Sequence, residues 1–160
     1  MTTDPALSGN GKRQMKSAAR LYAVQALFQM EHSGQTSDAV REEFVDFRFG
    51  AEVDEGVDMA EGDVDLFRKL LDDAVSWQAK IDQMTDRALV AKWPIGRIDP
   101  TLRALFRAAG AELVQSDTPP KVVIMEYVDV AKAFYPTGKE SKFVNAVLDH
   151  MAHEARPEAF

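Results

Sequence analysis

Apolar residues in this chain recur three and four positions apart in one segment after another. Nowhere do they alternate over a run as a half-buried strand requires. Leu102, Leu105, Phe106, Ala109 and Leu113 form one such series. Val123, Ile124, Tyr127, Val128 and Ala131 form a second, and Phe143, Val144, Val147, Leu148 and Met151 a third. Each series lays an apolar stripe along a helix, and such a stripe is buried against other helices. The predicted fold class is all-α. At 160 residues the chain is long enough for one domain with its own core, without a disulfide or metal staple.

Local punctuation marks about seven helices. Residues 1–14 are small, polar and glycine-containing, and read as a flexible basic arm; 15–160 read as a single helical domain. Helical patterning starts near Lys16 and runs to about Glu31, with Val24, Leu27 and Phe28 in its stripe and Ser33-Gly34 closing it. A short helix follows from Ser37 to Phe47, and the acidic, glycine-punctuated stretch from Phe49 to Gly62 reads as a loop. A long helix is expected from Asp63 to Lys80 and a short one from Asp82 to Ala91. Asp99-Pro100 pairs an N-cap residue with proline at the first helical position. Asp117 or Thr118 is expected to cap the next helix, with Pro119 and Pro120 in its first turn. Thr137 and Glu140 have capping-box spacing, and the last helix is expected from Glu140 to Ala155.

The net charge of −7 conceals a sharp asymmetry. Residues 1–30 carry a net +3, residues 31–74 a net −10, and residues 75–160 balance. Screening over roughly 8–10 Å lets a local basic patch act independently of distant acids. The sequence holds no cysteine, which removes disulfide frameworks and cysteine-based zinc sites and is compatible with a reducing cytoplasm. No apolar run approaches the ~18 residues of a membrane span, and the N-terminus lacks the apolar segment of a secretory signal. A cytoplasmic protein with no membrane partner is expected.

The residues that carry chemistry are cationic. Lys12, Arg13, Lys16 and Arg20 lie within nine positions, and in a helix Lys16 and Arg20 are one turn apart on one face. Three or four phosphate contacts on single-stranded RNA give a salt slope of about −2 to −3. The same pattern also suits a solvated helix start, and the residues alone leave both readings open. RNA further needs a flat surface for stacking and polar groups for base edges. Lys142, Phe143 and Asn145 supply both types, although Phe143 facing Val147 equally suits a core position and Asn145 equally suits a buried backbone partner. His150 and His153 are three apart but have no third ligand. The acids from Glu52 to Asp65 lack calcium-loop spacing. There is no phosphate loop, dinucleotide fingerprint or nucleophile elbow. Neither an enzyme, a metal nor a cofactor is expected.

Four blocks together resemble the NusB family of bacterial transcription antitermination factors. They are Ala23-Val24-Gln25-Ala26-Leu27-Phe28; Ile98 to Leu113, with Leu102-Arg103-Ala104 and Gly110-Ala111-Glu112-Leu113; Lys121 to Phe134; and Lys142 to Asp149. Their order and spacing are more specific than any one block, and the match spans nearly the whole chain, with residues 36–62 adding little. The resemblance implies two small packed helical bundles and an RNA-binding adaptor that makes and breaks no bond. It also implies a heterodimer with the ribosomal protein NusE on boxA RNA of nascent ribosomal transcripts, acting with other Nus factors and RNA polymerase to read through terminators. The family's arginine-rich motif falls on Lys12, Arg13, Lys16 and Arg20, and its Lys-Phe-Val-Asn motif on Lys142, Phe143, Val144 and Asn145. Ser17, Ala18 and Ala19 stand where many relatives continue the basic run, which implies weaker intrinsic RNA affinity and more need of NusE. The loop from Tyr135 to Glu140 also departs from the commoner pattern, and Glu140 is its candidate for partner or RNA gating.

Two other readings compete. The RNA-binding domain of an rRNA cytosine methyltransferase has a similar pattern but would be followed by a cofactor-binding domain and a catalytic cysteine; this sequence ends at Phe160 without a cysteine, so that reading requires it to be a truncated piece of a longer chain. A self-associating helical scaffold would use its basic arm for solubility only. A homodimer is compatible with the adaptor reading if it buries the basic face as a storage form.

Overall fold

The computed structural model describes residues 9–46, 63–89 and 98–160. Seven α-helices occur among them, and no strand. They are α1 (Gly9–Ser33), α2 (Ser37–Phe44), α3 (Val64–Ser76), α4 (Gln78–Leu89), α5 (Pro100–Gln115), α6 (Pro120–Phe134) and α7 (Lys139–Ala155); a 3-10 turn at Pro157–Ala159 follows. The all-α expectation holds. The loop expected at Phe49–Gly62, and the ends of the helices expected to reach Phe47 and Ala91, lie outside the described residues.

Side-chain caps set several starts. Thr36 accepts from the backbone N–H of Ala39 at the head of α2, and Asp63 accepts from Leu66 at the head of α3. Asp99 accepts from Thr101 at 2.7 Å, with Pro100 opening α5 as its missing N–H allows. Four boundaries differ from expectation. The first helix begins at Gly9, so residues 9–14 are helical rather than part of an arm; glycine and small polar residues raise the helical cost but do not forbid it. The long helix expected to reach Lys80 breaks at Trp77, where φ is −111° and ψ 16°. Leu70, Leu71 and Ala74 before the break and Ile81 after it are all buried, and their spacing fits an unbroken helix equally well. Pro119 rather than Asp117 or Thr118 stands at the cap of α6. The capping box before α7 does not form: Gly138, at φ 83°, is the cap, and Thr137 meets only the side chain of Glu140 at 3.4 Å.

Packing divides the helices into two groups that share α5. Helix α1 lies against α2 and α3, and α7 lies against α4 and α6, while α5 touches α1, α3, α4, α6 and α7. Its buried residues accordingly run all round the helix, from Leu102 through Ala104, Leu105, Phe106, Ala108, Ala109, Gly110 and Ala111 to Leu113. The buried side chains of all seven helices form one continuous core. At Gly110 the approach of α4 is so close that a β-carbon would stand 2.4 Å from Ile81 Cγ2. Arg156, just past α7, donates to the carbonyls of Leu113, Glu112 and Thr118. It thereby supplies a donor to the Leu113 carbonyl in the last turn of α5, where helical acceptors lack a partner within the helix, and ties α5 to the turn that leads into α6.

Candidate nucleic-acid interface

The first three turns of α1 precede its buried stripe, which begins at Ala19 and continues through Tyr22, Ala23, Val24, Ala26 and Leu27. Lys12, Arg13 and Lys16 therefore remain exposed. Lys12 and Lys16 are one turn apart on one side of the helix. Arg13 turns toward α6, where it lines a cleft with Ser17, Leu21, Glu126, Asp129 and Ala133.

Arg20 does not join them. It is 4% exposed, in the seam where α1 meets α5 and α6. Its Nε and Nη2 donate to the two carboxylate oxygens of Glu112 at 2.9 and 2.6 Å, and its Nη1 donates to Glu126 at 3.1 Å. Ser17 donates to Glu126 at 2.7 Å, and the Tyr127 hydroxyl to Glu112 at 3.0 Å. Burial works against the Arg20 charge most strongly, yet the hydrogen bond and the charge of Glu112, helped by Glu126, more than offset it and raise its pKa. The guanidinium is fully engaged inside the protein. Arg20, expected among the RNA-contacting cations, is placed instead in the core, drawn there by partners 92 and 106 positions away.

On α7, Lys142 and Asn145 are exposed and Phe143 is half-buried. The Phe143 ring packs edge-on against Phe106 of α5, with centroids 6.2 Å apart, so much of it serves the core. Glu140 is half-buried beside Thr137. Asn145 faces a second cleft, shared with Lys121, Met125, Asp129 and Lys132 of α6. Helix α6 thus lies between the basic end of α1 and the start of α7, and Asp129 lines the clefts on both of its sides.

Lys121 and Lys132 were not among the sequence candidates. They stand eleven positions apart, three helical turns, and so share one face of α6; the signal was present but only becomes meaningful once α7 is seen beside it. Among the described residues no group of three potential metal ligands occurs, and no helix is long and apolar enough to cross a membrane. His150 and His153 do not form a ligand pair with a third group: His153 stacks on Phe160 at 3.7 Å and its Nδ1 lies 2.8 Å from the Asp149 carbonyl. The two clefts beside α6 offer cations and the amides of Gln14 and Asn145, groups suited to phosphates and base edges, whereas Phe143, two positions from Asn145 and so on the other side of α7, faces Phe106 of α5.

The model of the NusB family matches residues 17–153. The transcription antitermination protein NusB of Maricaulis maris is 45% identical over 150 residues, covering 93% of this chain and 92% of its own. The protein of that name from Caulobacter vibrioides is 47% identical over 151 residues, covering 94% and 99%. Among solved structures, T. maritima NusB has a TM-score of 0.70 at 28% identity, over 100% of this chain and 99% of its own. A crystal structure of the antitermination factors NusB and NusE in complex with dsRNA contains a chain with a TM-score of 0.69 at 23% identity, covering 86% and 96%. That last likeness is one of fold.

Proposed function

The chain belongs to the NusB family, and on that premise we propose that it binds boxA RNA of nascent ribosomal transcripts together with NusE, so that RNA polymerase reads through terminators. The observation that carries this reading is the separation of its cations. Lys12, Arg13 and Lys16 are exposed at the head of α1, while the neighbouring Arg20 is withdrawn into the core. Lys142 and Asn145 extend the surface on the far side of α6, with the outer part of Phe143 available for a base and Glu140 at its edge as a gating acid. The protein acts by binding, in the cytoplasm, alongside the other Nus factors and the polymerase.

Four cations on single-stranded RNA correspond to a salt slope near −2.8. That is a small surface, and NusE enlarges it. The net charge of −7 favours rapid encounter with a basic ribosomal partner more than it raises affinity.

The test is a fluorescence-anisotropy titration of labelled boxA RNA and a base-scrambled control, with and without NusE, at two salt concentrations. The expected result is a preference for boxA that NusE strengthens. The double variant Arg13→Glu/Lys16→Glu should lose roughly tenfold or more in affinity and flatten the salt slope by about 1.4. Equal, negligible binding of both RNAs with NusE present would overturn the reading in favour of a self-associating scaffold.

A further inference from the structure

Helix α6 runs through the middle of the RNA surface, and an acid stands at its centre. Asp129 has a side chain 66% exposed, 3.9 Å from the ammonium of Lys132. On its other side it lines the cleft occupied by Arg13, with Glu126 one turn earlier on the same helix. Glu126 is held below the surface by Ser17 and Arg20, which leaves Asp129 as the solvent-facing carboxylate common to both clefts.

We propose that Asp129 is a negative determinant of RNA affinity: its carboxylate competes with RNA phosphates for Arg13 and Lys132 and so keeps the free chain a weak RNA binder. This rests on the RNA-binding reading above and deepens it. A carboxylate and a phosphate oxygen are like charges that both favour the same guanidinium and ammonium. RNA lying across α6 must either draw Lys132 away from Asp129, 3.9 Å from it, or forgo that contact, while approaching a fixed negative charge in the cleft that Arg13 lines. Both effects act on the backbone and not on base identity, so boxA and scrambled RNA are penalised alike. Specificity is then left to base contacts and to the partner.

The experiment compares the full chain, Asp129→Asn and Glu42→Gln by anisotropy on labelled single-stranded boxA RNA and its scrambled counterpart over a salt series. Glu42 is an exposed acid on α2, a helix that meets α1 near Gln29, about 24 Å along α1 from Arg13; it reports the effect of net charge alone. Asp129→Asn is expected to bind both RNAs roughly three- to tenfold tighter at low salt. Its salt slope should steepen by about 0.7 for each cation released to phosphate, a change that a merely structural role would not give. Asp129→Asn matching Glu42→Gln in affinity and slope, or binding more weakly than the unaltered chain, overturns the inference. If the unaltered chain binds RNA and that occurs, the RNA-binding reading stands while this one falls; if no variant binds RNA with or without NusE, both fall.

Discussion

Arg20 lies buried in the seam where α1 meets α5 and α6. It lies one helical turn from Lys16 and has the same charge, so local pattern assigns both to one basic face. What separates them is Glu112 and Glu126, brought from α5 and α6 to within 2.6 and 3.1 Å of its guanidinium. Two buried carboxylates on one guanidinium form a network whose worth lies in being complete, because removing a member leaves charge stranded out of water. Arg20→Ala should therefore destabilise the fold by about 3–5 kcal/mol, read as a lowered urea midpoint. Lys16→Ala, one turn away and exposed, should leave stability within about 0.5 kcal/mol and act on RNA affinity alone. Equal midpoints for the two variants would contradict the structural role assigned to Arg20.

At the level of elements, the helix count and the three C-terminal helices were legible from the three-four spacing, with proline in the first turn of α5 and α6 and the Asp99 cap on α5 agreeing with it, although the caps expected for α6 and α7 are not the ones that form. The full burial of α5 was not. Leu102, Leu105, Phe106, Ala109 and Leu113 mark one stripe, but Ala104, Ala108, Gly110 and Ala111 are buried too, and alanine and glycine read as neutral at either a core or a surface position. Their smallness is what lets neighbours approach from all sides. Gly110 gives the sharpest case. In an unconstrained helix Gly→Ala is favourable by about 1 kcal/mol. Here the new β-carbon would overlap Ile81 Cγ2 of α4, and overpacking costs about 1–3 kcal/mol. Gly110→Ala should lower the melting temperature, and adding Ile81→Ala should cost less than it does in the unaltered chain, since it removes the overlap. Simple additivity of the two changes would exclude the close α4–α5 contact as the cause. The break at Trp77 escaped sequence reading because the apolar spacing across it remains helical, with Leu70, Leu71 and Ala74 before it and Ile81 after it all buried.

For the whole molecule, the candidate surface was half visible in advance. Lys12, Arg13, Lys16, Lys142 and Asn145 could be named from their chemistry. That α6 lies between Arg13 and Asn145, with Asp129 lining the clefts to both and Lys121 and Lys132 beside Asn145, comes from tertiary packing that no local window contains. The seam beneath that surface also ties global stability to pH. Tyr127 is entirely buried, and burial first, then the charge of Glu112, pushes its pKa well above the ordinary value, which is about 10. The folded chain keeps this proton while the unfolded chain gives it up above pH ~10. The stabilisation is therefore fully present below pH ~10 and is lost as pH rises from there toward the folded pKa. Urea midpoints between about pH 8 and 11.5 should fall more steeply for the unaltered chain than for Tyr127→Phe, which starts lower for want of its bond to Glu112 but has no phenol to titrate. Parallel pH profiles would show that Tyr127 is not the titrating group.

Helix α1 has one further consequence. Near its C-terminal end Glu31 accepts from Arg103 of α5 at 2.6 and 2.7 Å, a hydrogen bond that holds the Glu31 carboxyl below its usual pKa range. At its N-terminal end stand Lys12 and Arg13, about 28 Å away along the same uninterrupted helix. Between these ends the helix is also fastened at Ser17 and Arg20 to Glu126 and Glu112. The basic end is thus the overhanging tip of a rod gripped at two separate places by acids and arginines, and the orientation of its lysines is inherited from the scaffold that grips the rod.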